Sequence, residues 1–175
     1  GACGLASAQP LTAGALQQLL QQAPNHPLRF TETRESPWLA APVQSSGTMR
    51  ATPALLEKRI EHPTRETWRI LPDRMQRIAE TGATQELLFG DAPAVAALAH
   101  ALRDVMAGKL AALAKDFRLV VAGDAQLWTV QLTPRAPEVA RTLVQLELQG
   151  SQERLLVLVV LERQGERTTT RLFHD

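Results

Sequence analysis

The chain has 175 residues, 45% of them apolar and 21% charged, the ordinary range for a globular protein with one sizeable core. Its net charge of +1 excludes a strong electrostatic case for nucleic acid, and no run of about 18 apolar residues offers a membrane-spanning helix. The single cysteine, Cys3, excludes an internal disulfide.

The opening GACGLASAQP reads as the small-residue end of a cleaved signal peptide. It reads equally as a disordered tail with no such role, and the further alternative is the end of a lipobox, with Cys3 as the acylated residue. Residues 1–10 are expected to be a tail and 11–175 a single domain. Thr12 to Ala23 follows as a helix, with Thr12 as N-cap and Leu16, Leu19 and Leu20 on one face. Pro24 and Pro27 end it.

From Leu28 the period changes to two. LRFTETRESPW puts Leu28, Phe30, Glu32 and Arg34 on one face, which predicts a half-polar strand. Five more strands are expected: VQSSGTMRA, LLEKRIEH, WRILPD, RMQRIAET and TQELLF. Trp38, in the apolar stretch before Ala40-Ala41-Pro42, is expected to pack at a strand end, the alternative being a membrane or partner interface. Residues 91–116 then switch to helix. Val95, Leu98, Leu102, Val105, Leu110 and Leu113 recur at helical spacing, Asp91 is the expected N-cap, and Gly108 marks a break. Period two returns in FRLVVAG, QLWTVQLTP, VARTLVQLELQ, ERLLVLVVLER and ERTTTRLF. LLVLVVL is apolar on both faces and is expected to sit centrally, covered on both sides.

The expected fold is therefore mainly β with helices (α+β), a curved antiparallel sheet of about 11 strands. A sheet that wide must curl or close. A helical insertion in mid-meander has one natural use, which is to cover the concave face.

These segments resemble the LolA family of periplasmic lipoprotein carriers. The resemblance runs from about Leu16 to Phe173. It rests on the N-terminal helix leading into the strand F-T-E, on Gly47-Thr48-Met49, and on P-A-L-L-E-K-R-I-E-H-P. Trp128 to Pro134, W-T-V-Q-L-T-P, and the closing R-Q-G-E-R-T-T-T-R-L complete it. The resemblance implies an unclosed β-barrel with a helical lid over an apolar cavity, and a periplasmic carrier without enzymatic activity. Its cargo would be acyl chains of lipoproteins or another lipid-linked product. Its partners would be an inner-membrane donor complex and an outer-membrane acceptor, and the carrier would act as a monomer. The alternative within the same fold is an outer-membrane-anchored, LolB-like acceptor with acylated Cys3. A weaker alternative is an enzyme acting on a lipid product.

The chain departs from the family in two places. Where the family has a lid-holding arginine before the third strand, this chain has Thr52, with Arg50 and Arg59 nearby. Those two are the candidate lid latch. Tyrosine is absent, and an Arg-rich strand, RMQRI, replaces an aromatic one.

A carrier must hold acyl chains out of water. Each methylene left in water costs about 0.8 kcal/mol, so a chain of about 16 carbons costs on the order of 12 kcal/mol. Alternation gives the sheet's candidate cavity wall as Phe30, Leu55, Trp68, Ile70, Met75, Ile78, Trp128, Val130, Leu132, Val144, Leu146, Leu148 and Leu156. Val95, Leu98, Leu102 and Val105 are added from the lid. A single bulge would turn part of this set to the other face.

No nucleophile elbow, phosphate loop or zinc-protease motif is present. His26, His62, His100 and His174 are scattered, and none has metal-ligand spacing. His100 and Asp104, four apart on the helix, read as a polar pair. No cofactor and no metal are expected.

Overall fold

The computed structural model describes residues 9–52 and 54–174. Cys3 and most of the tail lie outside them. Helix α1 is Ala13–Gln21, and the Thr12 hydroxyl caps it by accepting from the Ala15 N–H at 3.1 Å. The leucines at three- and four-residue spacing bury Leu16 and Leu20.

Six strands follow: β1 Leu28–Glu35, β2 Val43–Ala51, β3 Leu56–His62, β4 Glu66–Ile70, β5 Arg74–Ala79 and β6 Thr84–Leu88. A short 3-10 turn over Phe89–Asp91 leads into α2, Pro93–Met106. Asp91 does not cap α2; the cap position is Ala92, without a side-chain bond, and Pro93 opens the helix. Proline suits that place because its missing N–H would have had no partner there. Helix α3 is Leu110–Leu113.

Strands β7 Phe117–Gly123, β8 Trp128–Pro134, β9 Leu143–Ser151, β10 Arg154–Glu162 and β11 Arg167–Phe173 complete the chain. Between β8 and β9 lies a helical turn, α4, Pro137–Ala140. The expected strand VARTLVQLELQ therefore begins at Leu143, because Pro137 at the first helical position and the N-terminal Glu138 favour a turn of helix.

All 11 strands form one antiparallel sheet in the order β6-β5-β4-β3-β2-β1-β11-β10-β9-β8-β7. The first and last halves of the meander meet where β1 pairs with β11. The sheet does not close, since β6 and β7 are its edges. The helices cover one face, called inner here. There a single cluster joins α1 (Leu16, Leu20), α2 (Ala101, Val105) and α3 (Leu110, Leu113) to Phe30, Phe117, Trp128, Val130, Leu132, Leu146 and Leu148 of the sheet. A smaller cluster joins Leu56 and Ile70 to Phe89 and Ala99. The inner residues of β10 are buried; on its outer face Val159 is buried as well, whereas Val157 and Leu161 stay partly exposed.

Gly108, between α2 and α3, has φ +71°, a left-handed conformation that glycine adopts without steric cost. A Cβ there would also stand 3.2 Å from the Leu20 carbonyl carbon. The α2–α3 joint is thus pressed onto the end of α1.

Candidate functional site

The apolar cleft lies at that joint. Its volume is about 310 Å³, at the low end of the roughly 300–1,000 Å³ usual for ligand sites. The apolar wall is Leu20 from α1, Leu28 from β1, Met49 and Ala51 from β2, Val105 and Met106 from α2, and Leu155 from β10. The mouth is polar, with His26, Lys109, Glu153 and His174. The His174 ring Nε2 sits 2.6 Å from the Leu155 carbonyl oxygen. Two of the wall residues are methionines, whose unbranched chains adapt to ligands of irregular shape.

The register explains the wall. Leu28 pairs with Met49 across β1 and β2, and Ala51 with Leu56 across β2 and β3. Alternation puts these on the inner face with Phe30. Over this end of the sheet the helices are joined by a glycine and bury small residues, Ala99 and Ala101, beside Val105. The two alanines carry little apolar area, whereas Leu98, Leu102, Val105 and Met106 of the same helix supply its larger contacts with the core.

α3 is tied to α1 by one hydrogen bond. The Ala111 N–H donates to the Gln17 side-chain oxygen at 2.6 Å. This bond satisfies one of the free N–H groups in the first turn of α3.

Of the 17 residues expected to line the cavity, only Val105 does so. Phe30, Trp128, Val130, Leu132, Leu146 and Leu148 stand on the inner face but are packed as core. Ile70 lies in the smaller cluster, with Met75 and Leu102 packed against it. Leu98 packs on the main cluster, and Val95 is half-buried outside both. Trp68 is inner and half-buried; its indole N–H donates to Glu66 at 2.9 Å and Arg77 lies 5.8 Å over its ring.

Four residues are displaced from the expected face or strand. Leu55 precedes β3, and Leu56 takes the core position. Ile78 pairs with Thr67 and Thr84 on the outer face. Val144 and Leu156 fall at register shifts in the β9–β10 ladder, and Leu143 and Leu155 are buried in their stead. A bulge inserts one residue and inverts the alternation beyond it. Leu28 and Met49 were recoverable from the period-two pattern around Phe30; Leu155 was not, because only the bulge turns it inward.

The two latch arginines are on the outer face, away from the helices. Arg59 pairs with Thr48 and Thr67, and its Nε donates to Glu57 at 2.7 Å. Arg50 pairs with Glu57 in the register and is exposed. Burial raises the Glu57 pKa, but Arg59 and Arg69 outweigh it and hold the carboxyl below its ordinary value. Arg74 pairs with Asp73 at the β4–β5 turn, and Arg77 with Glu66 on the Trp68 side of the sheet.

Besides the Arg77–Glu66 pair beside Trp68, the inner face carries a charge pair on β1 and β3. Lys58 Nζ stands 2.7 Å from Glu32 Oε1 and 5.1 Å over the Phe30 ring. The Thr170 hydroxyl, almost fully buried, donates to the same carboxylate at 3.0 Å. A second space of about 350 Å³ lies at the β3–β4 turn, and Arg59, Glu61, Arg65, Glu66 and Glu80 make it too charged for an acyl chain.

Among the described residues, no hydrogen bond or salt bridge joins His100 to Asp104. The His100 Nε2 lies 3.2 Å from the Pro72 carbonyl oxygen, and its ring meets Phe89 edge-on at 4.9 Å. Burial raises the Asp104 pKa against the opposing charges of Lys109, His100 and Arg103. Among the described residues no group of His, Cys, Asp and Glu could hold a metal ion, and no helix is long and apolar enough to cross a membrane.

Among the solved structures that the chain matches are two at low identity. One is a LolA superfamily protein from Nitrosomonas europaea, with TM-score 0.48 and 9% identity over 94% of this chain and 92% of that one. The other is a DUF1329 family protein from Desulfovibrio piger, with TM-score 0.39 and 6% identity over 93% and 89%. No curated protein matches the chain. Residues 5–173 match the family described as outer membrane lipoprotein carrier protein LolA-like, and the chain belongs to that family.

Proposed function

We propose that the protein is a periplasmic carrier that takes up acyl chains at the cleft between α1, the α2–α3 joint and the ends of β1, β2 and β10. The cargo is a lipoprotein or another lipid-linked product, received from an inner-membrane donor and passed to an outer-membrane acceptor. The protein performs no chemistry on it. One observation carries this reading: an apolar cleft of about 310 Å³ has its wall on the inner face of the sheet and its roof at the α2–α3 joint. Membership of the LolA-like family supports it.

The cleft is small for a long acyl chain. The volume needed is at present filled by Leu16, Leu20, Leu110 and Leu113 of α1 and α3. Cargo entry therefore lifts these helices and exchanges their contacts with the sheet for contacts with the chain. The exchange is apolar for apolar, which makes it nearly neutral and allows release.

The test is native mass spectrometry of protein purified from the periplasm, with organic extraction, alongside titration with a fluorescent fatty acyl probe. The expected result is a co-purifying acylated molecule and saturable probe binding. Ala51→Phe, which fills the cleft from β2, should raise the probe's Kd about tenfold or more, a loss of roughly 1.4 kcal/mol. A clean apo mass together with no probe binding would count against the reading.

A further inference from the structure

The tip of the β1–β2 hairpin is not packed against the strands, contrary to the expectation for Trp38. Trp38 is 82% exposed, and Val43, at the start of β2, is 41% exposed. No charged residue occurs between Glu35 and Arg50, so the loop reads Ser36-Pro37-Trp38-Leu39-Ala40-Ala41-Pro42 without a charge.

The loop is held in shape. The Trp38 N–H donates to the Ser36 hydroxyl at 3.2 Å, and the Leu39 N–H to the Ser36 carbonyl at 3.1 Å. Pro37 rests against the β10–β11 turn, where a Cβ on Gly165 would come within 3.1 Å of its ring. Two prolines reduce the freedom of the unfolded loop further. The indole is thus presented to solvent on a braced support, and no hydrogen bond of its N–H is formed among the described residues.

We propose that this loop contacts the interfacial region of a phospholipid bilayer, with Trp38 as the inserting side chain. Three features favour a bilayer over a protein. A hairpin tip with one aromatic ring offers about 150–250 Å² from that ring, against the roughly 800 Å² per partner of a stable protein interface. An indole with an apolar body and a free N–H suits the boundary between acyl chains and head groups. The uncharged loop avoids the desolvation that a charged tip would suffer on entering lipid.

The loop lies at the far end of β1 from the cleft, roughly 26 Å away along eight residues of strand. Membrane contact there leaves the cleft mouth free, and this proposal is independent of what the cleft binds. The attraction is apolar, so it depends little on salt.

The experiment is flotation of the full chain with phosphatidylcholine vesicles at low and high salt. Trp fluorescence with brominated lipid as quencher is read in parallel. The wild type should float and be quenched, and Trp38→Ser should lower the partition coefficient about tenfold or more. Because Trp38 is exposed, this variant should keep its melting temperature and its affinity for the acyl probe. Equal flotation of the two proteins would overturn the proposal. So would no flotation of the wild type, which would turn attention to a protein partner for the loop. Failure of the cleft reading would instead appear as lost probe binding in the wild type.

Discussion

The Trp128 indole lies over Gly150, its cross-strand neighbour on β9, in the space where a Cβ would stand. The indole N–H donates to the Gln152 carbonyl at 3.1 Å, across the turn that joins β9 to β10. Trp128 is fully buried, so the glycine is what gives the largest core side chain its room.

Gly150→Ala should therefore destabilise the fold. The new methyl meets the indole and the Arg154 carbonyl oxygen, and backbone cannot yield as a flexible side chain can. Overpacking of this kind costs about 1–3 kcal/mol. Urea denaturation measures it, and an unchanged midpoint would contradict the packing described.

Removing one member of the Lys58–Glu32 pair should cost more than removing both. Lys58→Met leaves a carboxylate in a partly buried site, with Thr170 as its remaining donor. The expected loss is about 1–3 kcal/mol, partly restored in Glu32→Leu with Lys58→Met. A double-mutant cycle with no coupling would show that the pair acts as two solvated charges.

The tie between α1 and α3 should govern exchange more than stability. Gln17→Ala removes the acceptor of the Ala111 N–H. The stability loss should be about 0.5–1.5 kcal/mol, as for a single hydrogen bond. Stopped-flow release of an acyl probe should quicken by several-fold. Release at the wild-type rate would place the moving element elsewhere.

Glu162 should make the protein less stable as pH rises. Burial raises its pKa above 4.5, helped by the charge of Glu166 and opposed by Arg34. A carboxyl whose pKa is raised on folding binds its proton more tightly in the native state. Its contribution falls as pH climbs from about 4.5 through the raised native value. Glu162→Gln should then stabilise at pH 7 and change little at pH 3, by under about 1 kcal/mol at this partly exposed site. Thermal melts at the two pH values decide it; a gain equal at both would point to another cause.

The strand and helix pattern was legible in the sequence because it depends on neighbours along the chain. Eleven strands, the Thr12 cap and the insertion before β7 follow from local periodicity and turn residues. The candidate site was less legible. The bulges that bury Leu143 and Leu155 in place of Val144 and Leu156 depend on the partner strand, not on the residues' own hydrophobicity.

The chain's own residues thus determined the period, the element order and the family resemblance, since each is written in residues close together along it. Only tertiary structure decided which inner residues became solid core and which line the cleft. Leu28, Met49, Val105 and Leu155 come from four separate elements, and their meeting depends on how α1 and the Gly108 joint rest on the sheet. It also decided that Trp38 faces solvent, because nothing along the chain records whether another segment folds over a hairpin tip.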